Sequence, residues 1–374
     1  MRVLSGMEGV FSKEEVNTNR QEEYDYLKGL FMVFIFLIHA FQATSTEPDL
    51  CVKVMFGFAT MSGAALFMFV MGMGSVYSRN SGADALAKSG VRMVVYQYLN
   101  NVLYLIALVI PYPFVKKLLG AEETEMFFWA MEIYAQYINI FFMTGVIYLL
   151  LALLKKLKLP IAGYAVVGIV FAFAAPLIEG KPVDIPVIGY IVKLLIGWDL
   201  FTSFVPLYFV SYVLLGVVLG KLLRHVKNKT LFYRAVMVIC GVVIVGTWGY
   251  LFSQYGFSEA LYEVLTMTYP KPGFMHVMAS IAHILFFAGV FYFGRNYLRS
   301  ENLICGQILY YSRHISKYYA IHVVPYFIAF GFHKYLPFES WQCWILALFG
   351  MAFTEVVVRS YNLVLKNLSA LKSR

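Results

Sequence analysis

Long apolar runs separated by short polar clusters fill most of the chain. They fall near 26–43, 51–77, 91–110, 129–154, 160–178, 201–222, 235–253, 273–293, 315–333 and 341–360. An apolar helix needs roughly 20 residues to cross a bilayer, so the pattern predicts an all-α fold, a polytopic membrane bundle of about ten transmembrane helices. The longest connections, 111–128, 179–200 and 254–272, have room for short interfacial helices, with SEALYEVLTM as one candidate. Pro176, Pro206 and Pro325 lie inside runs or near their ends, where they are expected to kink helices.

The first run, YDYLKGLFMVFIFLIHAFQ (24–42), carries Asp25 and Lys28 before its apolar stretch and His39 after it. On a helix, Lys28 and His39 lie roughly 20° apart around the axis and about 16 Å apart along it. Asp25 falls on the same stripe. Ionisable groups in hydrocarbon are costly and mark functional positions.

Composition agrees with a membrane protein: charged residues are only 14% of the chain and hydrophobic residues 60%, against about 25% charged in soluble domains. No apolar leader precedes the first run, so that run is read as a retained span. The basic residues divide unevenly between the two sides, with about 23 of the Lys and Arg on the side of both termini and about 7 on the other. The positive-inside rule therefore makes both termini cytoplasmic, and topology accounts for the net charge of +9 without nucleic acid. The expected organisation is a cytoplasmic segment at 1–23, a membrane domain at 24–362 and a basic cytoplasmic tail at 363–374. Cys51, Cys240, Cys305 and Cys343 have no metal-ligand spacing, and they read as free thiols with no metal.

Two runs carry polar stripes. Gln97, Asn100, Asn101 and Tyr104 recur at i, i+3, i+4 and i+7; Glu132, Gln136 and Asn139 recur at i, i+4 and i+7. Such stripes either glue helices together or line a polar cavity. His322 lies in KYYAIHVVPY, inside the ninth run. Glu355 and Arg359 have the i, i+4 spacing of a structural ion pair.

Three segments together resemble the transmembrane acyltransferase superfamily, which includes acyltransferase family 3 and the heparan-α-glucosaminide N-acetyltransferases. YDYLKG…IHAF is similar to the family's first helix, matching at Asp25, Gly29 and His39. LFMFVMGMG (66–74) is similar to its second helix. ILYYSRHISKYYAIH is similar to a late signature through Ser316, Tyr319 and His322. PLYFVSYVLLGVVLGK (206–221) also looks like its mid-chain helix. Lys28 stands where the family usually has Arg, and no histidine occurs between 40 and 224.

The resemblance implies transfer of an acyl group, acetyl first, from cytoplasmic acyl-CoA to a hydroxyl or amine of an extracytoplasmic carbohydrate or lipid-linked sugar. The expected setting is a bacterial cell membrane, with membrane lipid around the chain. A homodimer stays open. His39 is then the candidate base, since an imidazole near its ordinary pKa can take a proton from a hydroxyl. His322 and Asp25 complete the catalytic candidates. Lys28, Arg79, Arg92, Arg313 and Lys317 are candidates for the CoA phosphates. Gln97, Asn100, Asn101, Glu132, Gln136 and Asn139 are candidates for lining the substrate path. A transporter or lipid flippase, or a non-catalytic scaffold, would use the same polar residues differently.

Overall fold

The computed structural model describes residues 9–44, 46–119, 131–132, 135, 137–178, 185–196, 204–265, 271–333 and 338–372. Helices dominate and no strand is present among these residues. We label them α1 (Glu22–Thr44), α2 (Leu50–Tyr77), α3 (Ala83–Val109), α4 (Tyr112–Leu119), α5 (Ile140–Lys156), α6 (Ile161–Ile178), α7 (Pro186–Ile196), α8 (Pro206–Arg224), α9 (Lys229–Tyr255), α10 (Phe274–Gly294), α11 (Leu303–Arg313), α12 (Ile315–Ile321), α13 (Val324–His333) and α14 (Ser340–Lys372). A short segment between α9 and α10 passes from α into π geometry at Ala260–Val264. It lies in the third long connection, while α4 and α7 lie in the first two.

Eight helices among the described residues are long and apolar enough to cross a membrane. Of the ten predicted runs, the fourth became α5, whose 17 residues rise about 26 Å, close to the hydrocarbon thickness. The ninth became the pair α12 and α13. Pro325 explains that break: without an N–H it cannot donate to the carbonyl of Ile321, four residues back. The chain turns at His322 and Val323. Helix α14 runs unbroken across the expected tail boundary at 363 to Lys372; residues 363–372 contain neither Pro nor Gly.

Helix α9 supports the membrane assignment physically. Val238, Ile239, Val242 and Val245 share one face, and all are exposed. Only 6% of its apolar window is buried. An apolar surface of that extent is tolerated where the surrounding solvent is itself apolar.

The chain divides into two compact units. The first comprises residues 1–27, 57–98 and 137–299; the second comprises 28–56, 99–136 and 300–374. In the first unit, α8 is the core helix, buried from Pro206 through Leu223 on most of its positions. It meets α2 through two glycines. A Cβ on Gly72 would overlap the carbonyl of Val213, and a Cβ on Gly216 would overlap the carbonyl of Phe69. Backbone-to-backbone approach of this kind is what small residues permit in membrane helices.

The N-terminal segment is docked on this unit. Ser12 N donates to the His225 carbonyl at 2.7 Å, Val16 N to the Arg224 carbonyl at 2.8 Å, and Lys227 N to the Val10 carbonyl at 2.9 Å. Asn17 Nδ2 reaches the Leu223 carbonyl at 3.0 Å. The segment thus satisfies carbonyls that a helix end leaves without intrahelical partners.

In the second unit, Asp49 joins the starts of α2 and α14. Its carboxylate accepts from Val52 N at 2.9 Å, from Ser340 Oγ at 2.7 Å and from Trp344 Nε1 at 3.3 Å. Partial burial opposes the charge, but the donors of Val52, Ser340 and Trp344 outweigh it and hold the carboxyl below its usual pKa.

Two outcomes follow. Gly72→Ala should cost about 1–3 kcal/mol through overpacking against α8, read as a lower unfolding temperature in detergent. Because the Asp49 pKa is depressed on folding, its contribution is present above the unfolded value of about 3.9 and is lost as pH falls through the lower folded value. Asp49→Asn should therefore flatten the acid limb of the stability curve in that window, measured by thermal unfolding against pH.

Candidate functional site

The break before Pro325 sets the candidate site within the second unit. His322 ends α12, its backbone N–H bonded to the Tyr318 carbonyl at 2.9 Å. Its ring packs against His39 of α1 with centroids 5.0 Å apart. Tyr326, one turn further along, lies 6.3 Å from the His322 ring and 6.5 Å from the His39 ring. Phe36 meets His322 edge-on at 5.8 Å, and Tyr319 lies at 5.1 Å. Two histidines 283 residues apart in sequence are therefore neighbours inside a cage of aromatic rings.

Hydrogen bonding sets the tautomer of one of them. His322 Nδ1 lies 2.7 Å from the Tyr319 carbonyl. A carbonyl only accepts, so Nδ1 carries the proton and Nε2 carries a lone pair. That Nε2 is buried and has no hydrogen-bond partner among the described residues. The Tyr326 hydroxyl and Asn100 Nδ2 are likewise buried without partners. Buried polar groups are normally satisfied, and of these the His322 nitrogen and the Tyr326 hydroxyl belong to the same aromatic cage. His39 is partly exposed and makes no hydrogen bond among the described residues.

The cage has its own support. Tyr318 donates to Glu355, which also accepts from Gln307 Nε2 at 2.8 Å and pairs with Arg359. Arg359 in turn donates to Gln307 Oε1 at 2.7 Å. This network ties α11 and α12 to α14 one turn below His322. The i, i+4 ion pair expected at Glu355 and Arg359 is present, extended by a glutamine and a tyrosine. On α1, Gly29 has the α11 backbone so close that a Cβ would overlap the Ile308 carbonyl.

The remaining candidates are spread. Gln97, Asn100, Asn101 and Tyr104 are all buried. Tyr104 meets Phe327 of α13 at 4.7 Å, and Asn101 Nδ2 donates to the Ala135 carbonyl at 3.3 Å. Gln97, in the first unit, is engaged at the start of α5: its Oε1 accepts from Asn139 N at 3.1 Å and its Nε2 donates to the Tyr137 carbonyl at 2.9 Å. Asn139 caps α5 by accepting from Phe141 N at 2.9 Å. Asn139 thus stands at the start of α5 as its N-cap, not within a helix. Glu132 is exposed, and Gln136 lies outside the described residues.

Asp25 is buried in the first unit and paired with Arg20, whose guanidinium is pushed above its usual pKa by that bond. Arg79 and Arg92 are exposed in the same unit. In the second unit, Lys28 is partly buried and Arg313 exposed, while Lys317 bonds Asn362 and sits 4.8 Å from the Tyr361 ring centre.

Tyr326 belongs to the site and was not singled out from sequence, whereas Tyr319 appeared there only as a residue of the late signature. The spacing of Tyr319 at i−3 from His322 puts it beside the histidine; Tyr326 comes after the break at His322 and Val323.

Compared with protein-family models, with curated proteins and with solved structures, the chain matches none.

Tyr326→Phe tests whether the hydroxyl is truly unsatisfied. Removing an orphaned buried hydroxyl should leave stability unchanged or raise it, by up to about 1–3 kcal/mol. Thermal unfolding of the detergent-solubilised variant reads this; a clear loss of stability would mean that the hydroxyl is bonded.

Proposed function

We propose that the protein is a membrane-embedded acyltransferase that moves an acyl group, acetyl first among the candidates, from acyl-CoA to a hydroxyl or amine of a carbohydrate acceptor. The observation that carries the reading is the His39–His322 pair, with one ring tautomer fixed and its Nε2 lone pair left open. His39, partly exposed and without hydrogen bonds among the described residues, is the base. It takes the proton of the acceptor hydroxyl; the oxygen attacks the thioester carbonyl, the C–S bond breaks, and the CoA thiolate collects the proton. The His322 ring, its centre 5.0 Å from that of His39, is the polar neighbour that stabilises the imidazolium forming there. Charge asymmetry along the chain supports a cytoplasmic donor and an acceptor on the far side, and the basic residues Lys28, Arg313 and Lys317 are the candidates in this unit for the CoA phosphates.

A second reading, a transporter or lipid flippase, is favoured by the interrupted α12–α13 pair, because broken helices line transport sites. The two readings separate on whether acyl-CoA is consumed.

His39→Ala should lower acyl transfer by about 10²–10⁴-fold, the range for a general base, while CoA-dependent thermal stabilisation persists. Lys28→Ala should show the reverse, weaker CoA binding with a smaller defect at saturating CoA. Near-normal turnover by the His39 variant would remove it as base. No CoA-dependent stabilisation in the parent protein would remove the enzyme reading.

A further inference from the structure

At one end of the first unit, where α2, α5 and α8 finish and α6 begins, lies a cavity of about 460 Å³. Lys155, Lys221, Arg224, His225, Ser75 and Glu15 are among the residues that line it. The charges do not balance. Glu15 is the sole carboxylate among the lining residues, and it is held by Arg224, Nη2 to Oε2 at 2.6 Å.

The two lysines have no carboxylate partner among the described residues. Lys155 donates to the backbone carbonyls of Ser75, at 2.9 Å, and of Ser81. An ammonium has three N–H groups, so one donor remains. Lys221 lies 4.5 Å from the centre of the Tyr164 ring and makes no hydrogen bond among these residues. Arg224 Nε is buried and has no hydrogen-bond partner among the described residues. Two positive charges are therefore uncompensated in a concave site, and donors approach it from α5 and α8.

We propose that this cavity binds a phosphate-bearing anion, with Glu15 as an internal competitor. Donors converging from separate helices suit a tetrahedral group with several oxygens better than a planar carboxylate, which one guanidinium fork already satisfies. Glu15 reaches the site only because its strap is pinned to the carbonyls of Arg224 and His225. Its carboxylate occupies one of the three cationic groups and leaves the two lysines without a carboxylate among the described residues. An arriving phosphate takes the lysines and then displaces Glu15 from Arg224, so the anion and the strap compete for one guanidinium. The site shares no residue with the histidine pair and does not depend on the acyltransferase reading.

The phosphate has two available sources, a soluble phosphorylated compound or the headgroup of an anionic lipid. Full-length protein in neutral detergent is titrated with inorganic pyrophosphate, with calorimetry and thermal unfolding as readouts. Saturable stabilisation is expected. Glu15→Gln should bind about tenfold more tightly and Lys221→Gln about tenfold more weakly, as for loss of one charged contact. Both variants are isosteric or partly exposed changes, so each also reports on the other if one misfolds. Absence of saturable binding in both parent and Glu15→Gln protein overturns the site. Unchanged affinity in Glu15→Gln overturns the competition. The same titration in nanodiscs then assigns the source. Pyrophosphate binding that persists in phosphatidylcholine but is lost in phosphatidylglycerol supports the lipid headgroup; binding that persists in both supports a soluble anion.

Discussion

The carbonyl of Tyr319, 2.7 Å from His322 Nδ1, can only accept, and the candidate site depends on that fact. An imidazole in an apolar bundle must place its N–H on an acceptor or lose a hydrogen bond's worth of free energy. Here the backbone supplies the acceptor, so the opposite nitrogen is left as a bare lone pair. Pro325 makes the arrangement local. It interrupts the helix just after His322, and Tyr326 follows the turn with its ring centre 6.3 Å from that of His322. The Glu355 network then holds α12 to α14 from the neighbouring Tyr318. Three layers of interaction, backbone, aromatic and ionic, converge on one imidazole.

The first unit is organised by a different constraint, the closeness of α2 and α8. The paired glycines Gly72 and Gly216 bring the two backbones together, and the ends of these helices then need partners. The N-terminal strap meets that need on the α8 side, and Lys155 meets it for Ser75 at the end of α2. The basic cavity is a by-product of closing helix ends with lysines and an arginine: donors assembled for carbonyls also face open space.

Much of the fold was legible in the chain because a bilayer enforces it. Apolar runs must become helices when no water is present to satisfy the backbone, and the eight qualifying helices coincide with eight of the runs. The burial of Gln97, Asn100, Asn101 and Tyr104 followed from their period. Other features were out of reach for physical reasons. Asn139 reads as one more polar residue on a helical stripe, yet its side chain caps the start of α5. That His39 and His322 meet across 283 positions is encoded in no local period; grouping them as candidates of one site rested on the resemblance and on the cost of exposing ionisable groups to lipid. The strap at 9–20 reads as a charged tail, because its contacts are made by backbone groups on which sequence is silent. Pro325 was visible as a kink, but its consequence for the His322 tautomer needed the position of one carbonyl.

The central claim is that the histidine pair performs proton transfer during consumption of an acyl thioester. The most direct measurement is release of free CoA thiol from labelled acetyl-CoA by the purified protein in liposomes, with and without a mixture of amino sugars and oligosaccharides. Release coupled one-for-one to acceptor labelling, and lost in both His39→Ala and His322→Gln, is the result expected here. Labelled acceptor crossing the membrane unmodified, with acetyl-CoA intact, would contradict it and leave a transporter in its place.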